Sequence, residues 1–112
     1  MEASEKQIER AILDHLNTWA GCFAWKNHTT GIWSQERKQF LKPRNKYAIK
    51  GVSDIICITP MGVVVFIEVK SKKGRISKDQ EIFLDKIEDH GGFAFVARSV
   101  DEVIDYFKRH GL

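Results

Sequence analysis

Asp54-Ile55-Ile56-Cys57-Ile58-Thr59-Pro60-Met61-Gly62-Val63-Val64-Val65-Phe66-Ile67-Glu68-Val69-Lys70 is the stretch from which the rest of the chain can be read. Ile55–Thr59 and Val63–Val69 are β-branched, apolar runs, and the Pro60-Met61-Gly62 between them carries turn chemistry, so the spacing predicts a hairpin. A three-residue loop with glycine at its left-handed position sets Thr59 opposite Val63. Counted back from there, Asp54 faces Glu68 with Cβ atoms on the order of 5 Å apart. Lys70 lies two residues past Glu68 and shares its face. The open end of the hairpin therefore gathers two carboxylates and an ammonium on one face, and a one-residue slip in the turn would throw Glu68 to the other.

Such a trio has a plain reading, a salt-bridged cluster on a solvated strand end. Here all three close a buried hairpin together, and two carboxylates so placed repel unless a cation lies between them. A hard divalent ion such as Mg²⁺ suits the position, because it prefers oxygen ligands and keeps several waters.

Outward from the hairpin, runs that are apolar on both faces imply central strands covered by helices on each side. Three helix starts match the capping box, in Ser4 with Gln7, Ser77 with Gln80 and Ser99 with Glu102. The first helix is expected from about Glu5 to Trp19, with Ile8, Ile12, Leu16 and Trp19 on one face. The second is expected from Lys78 to His90, stopped by Gly91-Gly92, and the third from Val100 to about Arg109 with Val100, Val103, Ile104 and Phe107 inward. Phe93–Ala97 is a further short strand and Cys22–Lys26 a weaker one. The order α-β-β-β-α-β-α makes an α/β sandwich around a small mixed sheet. Residues 27–50 fit neither period and read as a loop, an arm or an irregular extension, with Trp33, Phe40 and Tyr47 spread among cations.

The chain has 112 residues, 43% hydrophobic and 29% charged, which suits one globular domain and excludes a disordered chain. Its net charge is +3, unevenly distributed. Lys26, Arg37, Lys38, Lys42, Arg44, Lys46 and Lys50 face only Glu36 in their segment, an asymmetry that suits a polyanionic partner such as nucleic acid. No apolar run approaches the ~18 residues of a membrane span, and the polar start Met1-Glu2-Ala3-Ser4-Glu5 has no signal-peptide pattern. Cys22 and Cys57 lack the paired spacing of a zinc site and read as reduced core thiols of a cytosolic protein. The four scattered histidines are assigned no metal.

Gly51-Val52-Ser53-Asp54, followed by Glu68-Val69-Lys70, resembles the active-site signature of the PD-(D/E)xK nuclease superfamily. Ser77, Gln80 and Phe83 narrow the resemblance to the virus-type replication-repair nuclease (VRR-NUC) domain, over nearly the whole chain, which implies a stand-alone domain with an α-β-β-β-α-β restriction-endonuclease-like core. Ser53 stands where the superfamily often has proline, a variable position that supplies no metal ligand. The resemblance implies a metal-dependent DNA endonuclease in which Asp54, Glu68 and the Val69 carbonyl bind Mg²⁺ or Mn²⁺. Lys70 would orient the attacking water and steady charge on the phosphate. It further implies a homodimer acting on branched DNA such as four-way (Holliday) junctions. Repair or recombination in the cytoplasm of a bacterial or phage-infected cell would be its setting.

The superfamily often adds an acidic residue from the first helix, and Glu2, Glu5 and Glu9 are available. Glu5 lies closer to the apolar stripe, although a first-turn carboxylate is also favoured by the helix dipole alone. Gln80 serves as capping partner of Ser77, or as an active-site amide, since it shares a stripe with Phe83, Leu84 and Ile87. Gly51 lets backbone pass close to a phosphate, or simply makes the turn before Asp54. The DNA-facing set comprises Lys42, Arg44, Lys46, Lys50, Gly51, Ser53, Lys72, Lys73, Arg75 and Ser77; the two basic stretches flank one carboxylate pocket. No base-reading motif is evident, so backbone geometry should matter more than sequence. Two rivals remain, a nucleic-acid-binding module with a vestigial site and a sequence-specific restriction-type endonuclease. The short chain leaves little room for the latter's recognition domain.

Overall fold

Ser4 starts the first helix as the sequence requires: its Oγ accepts the Gln7 N–H at 3.1 Å while Gln7 Oε1 accepts the Ser4 N–H at 2.8 Å. The computed structural model describes residues 2–28, 32–34, 36–41 and 46–112. Helix α1 spans Glu5–Thr18 and buries Ile8, Ile12 and Leu16. Trp19, expected on the same stripe, is instead 81% exposed. The helix has ended there: the N–H groups of Trp19 and Ala20 both donate to the His15 carbonyl, and the chain turns away before the stripe can complete another turn.

The main sheet has four strands in the order β1-β4-β5-β6. These are β1 (Phe23–Lys26), β4 (Ile55–Ile58), β5 (Val64–Val69) and β6 (Phe93–Ala97), the first three antiparallel and β6 parallel to β5. The hairpin has the register that its loop predicts, with Ile55 opposite Ile67 and Ile58 opposite Val64. Thr59 and Gly62 close the turn, the Gly62 N–H donating to the Thr59 carbonyl at 2.8 Å with Gly62 at φ +80°. Between β1 and β4, where the sequence shows no regular period, Ile32–Ser34 (β2) and Gln39–Leu41 (β3) pair as a separate antiparallel ribbon. Three-residue strands are too short for alternation to register.

Helix α2 (Lys78–Asp89) connects β5 to its parallel neighbour β6, and α3 (Val100–His110) closes the chain. One face of the sheet, carrying Ile55, Cys57, Val65, Ile67 and Val69, packs with α1 and α3 into the main core. Tyr106, not anticipated in that core, stacks on Phe95 at 3.8 Å between ring centroids. The opposite face is covered by α2 at one side only: Phe66 meets Phe83 edge to face, while Phe23 and Trp25 stay exposed along β1. Cys22 and Cys57 are free, buried thiols; burial and the neighbouring Cys22 push Cys57 up to about 12. Among the described residues no helix is long and apolar enough to cross a membrane.

The strand directions collect functional positions. The end of β1, the start of β4, the ends of β5 and β6 and the start of α2 all lie at one edge of the sheet. That edge holds the residues discussed next; the hairpin loop lies at the other.

Ile12 and Trp19 share a helical stripe but not a fate. Ile12→Ala should cost about 2–5 kcal/mol in urea unfolding, whereas Trp19→Ala should stay within about 0.5 kcal/mol.

Candidate active site

Backbone pairing between β4 and β5 is described from Ile55 opposite Ile67 downward, and one step beyond it a side chain takes over. Asp54 Oδ2 accepts the Val69 N–H at 2.9 Å, while the Asp54 carbonyl accepts the Asn27 N–H at 2.6 Å. The N–H and C=O of one strand residue leave by the same edge. Val69 therefore turns its carbonyl toward Asp54, while the Lys70 N–H donates to the Ala97 carbonyl of β6 on the other side.

Glu68 lies on the α2 face and is 1% exposed. Its Oε1 accepts Gln80 Nε2 at 2.6 Å and stands 3.8 Å from Lys70 Nζ, itself on a side chain only 14% exposed. Its Oε2 is buried with no partner. Burial first, then the negative charge of Asp54, raise the Glu68 carboxyl to about 8, with Lys70 pulling the other way. The structure thus brings Asp54, Glu68, Val69, Lys70 and Gln80 together.

Gln80 makes the capping contact and also reaches Glu68. Its Oε1 accepts the Ser77 N–H at 2.7 Å and its amide N–H reaches Glu68, so the capping box aims the donor. With Oε1 so occupied, Gln80 positions Glu68 and leaves cation binding to others. Gly51, at φ +77°, passes against the first turn of α2: a Cβ there would overlap the Asp79 carbonyl group and lie 2.6 Å from Gln80 N. The close approach requiring glycine is thus to α2 backbone.

Other expected residues are placed differently. Ser53 is fully buried with its Oγ unpartnered, so its side chain lies beneath the surface and not on a DNA-facing one. Ser77 Oγ is engaged as the helix cap, accepting the Gln80 N–H. Glu5 is exposed in the first turn of α1. Glu9, one turn on, is 12% exposed and pairs with Lys26 at 3.1 Å, where Lys26 stands opposite Ile55 beside Asp54. A wheel of α1 alone could not find it, because its partner is on β1. Lys46, Lys50, Lys72, Lys73 and Arg75 are exposed; Lys42 and Arg44 lie outside the described residues.

These donors fit a hard cation. Glu68 Oε2 is a buried acceptor with no hydrogen-bond partner, next to a second carboxylate and the Val69 carbonyl. Among the described residues no group of three or more His, Cys, Asp or Glu side chains comes together.

A mixed sheet flanked by helices, with this pair of carboxylates and a lysine at its edge, defines a nuclease-type fold of the PD-(D/E)xK kind. Residues 2–101 match the family model of the VRR-NUC domain, and the chain belongs to that family. A solved structure described as a VRR-NUC domain is similar in fold, with a TM-score of 0.65 at 19% identity over 96% of this chain and 98% of that one. No curated protein matches the chain at a significant level.

Because the folded protein holds the Glu68 proton more tightly than the unfolded chain does, cation-free stability should fall as pH rises from 4.5 toward 8. In EDTA, Tm should drop by about 5 °C or more across that window, and Glu68→Gln should flatten the slope. Gly51→Ala should lose about 2 kcal/mol or more and weaken the Gln80–Glu68 contact. Gly62→Ala, with open space around its Cβ, should lose only about 1 kcal/mol by the same unfolding assay.

Proposed function

We propose that this chain is a metal-dependent DNA endonuclease that hydrolyses phosphodiester bonds, acts preferentially on branched DNA such as four-way junctions, and works as a homodimer. The observation that carries the reading is the Glu68 carboxylate, buried beside Asp54 with one oxygen unpartnered and Lys70 at its flank. A salt bridge built for stability would not leave such an atom unsatisfied.

Asp54, Glu68 and the Val69 carbonyl would hold Mg²⁺ or Mn²⁺. Such an ion, when bound, lowers the pKa of a water and offsets charge on the phosphoryl oxygens. Gln80 fixes the Glu68 carboxylate through Oε1, so that Oε2 keeps its direction. Lys70 orients the attacking water and sets a positive charge toward the phosphate, its ammonium steadied by Glu68. Exposed Lys46 and Lys50 ahead of β4, and Lys72, Lys73 and Arg75 after β5, would hold the DNA backbone on either side. Two such sites related by a twofold axis suit paired cuts across a symmetric junction.

The test compares cleavage of a four-way junction, a flap and linear duplex by wild type and Asp54→Ala, with and without Mg²⁺. Wild type should cut the junction fastest and only with the ion, and the variant should be slower by about 100-fold or more. Equal activity of the two proteins would overturn the site. Equal cutting of linear and branched DNA would overturn the substrate, and a monomer at micromolar concentration the dimer. Tight DNA binding without cleavage under Mg²⁺ or Mn²⁺ would leave a binding module in place of an enzyme.

A further inference from the structure

Arg98, the residue after β6, has no part in the site described so far. Its Nη1 donates to the carbonyls of Ser71 at 2.6 Å and Gly74 at 2.7 Å, with the Lys72 carbonyl at 3.4 Å. Its backbone is held in turn: the Arg98 N–H donates to Glu102 Oε1 at 2.9 Å. That bond explains why the third capping box is incomplete. Ser99 Oγ accepts the Glu102 N–H, but the Glu102 carboxylate reaches one residue further back, past the cap.

The loop that Arg98 grips follows Lys70 directly. The Gly74 N–H donates to the Ser71 carbonyl, so Ser71 O serves both the turn and the guanidinium. Three carbonyls converge on one cation from more than twenty residues downstream, in a loop that water could have solvated. The loop exposes Lys72 and Lys73, with Arg75 just beyond. Charge-assisted bonds are the stronger class, and a loop fixed before binding loses less freedom on meeting its ligand.

We infer that Arg98 is a positioning residue for substrate binding: its guanidinium, closed on the carbonyls of residues 71–74, presents Lys72 and Lys73 to the DNA backbone beside Lys70. The inference rests on the reading of the chain as a DNA nuclease. Arg98 acts through the loop, and the carboxylate pair is independent of it.

The experiment measures binding of a labelled four-way junction in EDTA across a range of KCl, and Mg²⁺-dependent cleavage kinetics, for wild type, Arg98→Gln and Arg98→Lys. With Arg98→Gln, KM should rise about tenfold while kcat stays within about twofold, and the slope of log affinity against log salt should fall by about 2. Removing one charge that touched DNA directly would lower it by about 1 at most. Arg98→Lys keeps the charge but not the planar fork, and its slope should also fall, by about 1. In a Lys72→Ala/Lys73→Ala background, Arg98→Gln should change KM no further. An undiminished effect in that background, a kcat loss at constant KM, or a wild-type salt slope in Arg98→Lys would each overturn the inference. Either Arg98 variant decides the matter if the other does not fold. If wild type neither binds nor cuts the junction, the nuclease reading itself fails; if it does both, the Arg98 results bear on the loop alone.

Discussion

The hydrogen bond from the Val69 amide to the Asp54 carboxylate is the constraint on which the site depends. Up to Ile55, strand β4 holds β5 by main-chain pairing; one residue later the chain hands that task to a side chain. The exchange opens the ladder without releasing β5, and it leaves the Val69 carbonyl directed at the same edge as the carboxylate. Glu68, one residue before, must then stand on the α2 face, and Lys70, one residue after, returns to that face beside it. Three chemically distinct groups are fixed relative to each other by one turn, Pro60-Met61-Gly62, at the far end of the sheet.

That turn is why so much was legible. A three-residue loop with glycine at its last position permits one register, and the register alone brings Asp54 and Glu68 to the same place. Caps are equally local, and at Ser4 and Ser77 both reciprocal bonds form as read. What escaped the sequence depends on partners distant along the chain. Glu9 gains its place from Lys26 on a strand, Glu102 from the amide of Arg98, and Tyr106 from stacking on Phe95. Trp19 failed for a different reason: periodicity marks a face but not the residue at which the helix stops, and the stop here falls one residue short. The β2–β3 ribbon was invisible because its strands are too brief to show a period.

Gln80 shows how a residue can have two explanations that are one. A capping box fixes a side chain near the helix start, and fixing it also aims its second polar atom. Here that atom is an amide donor 2.6 Å from a carboxylate in need of one. Gly51 belongs to the same arrangement, since only a residue without a Cβ lets the segment leading to Asp54 lie against Asp79 and Gln80. The segment before β4 and the first turn of α2 thereby locate each other, and each carries one part of the site.

Glu68 sets local cost against global stability. Its carboxyl, raised to about 8, favours a proton where the proposed chemistry needs a free anion, and one of its oxygens has no partner. A sheet with both faces fully packed would have little reason to hold such a group. This one divides the work between its faces: the α1 and α3 side is a continuous apolar core of fully buried Ile, Val and Leu side chains, and the α2 side carries the charges at its edge. Each strand thus places alternate residues in two different environments, so Ile67 and Val69 stabilise the strand that exposes Glu68 to its neighbours. Period-two alternation lets a buried carboxylate be tolerated next to the best-packed residues in the chain, and its binding of a cation would offset the strain that packing sustains.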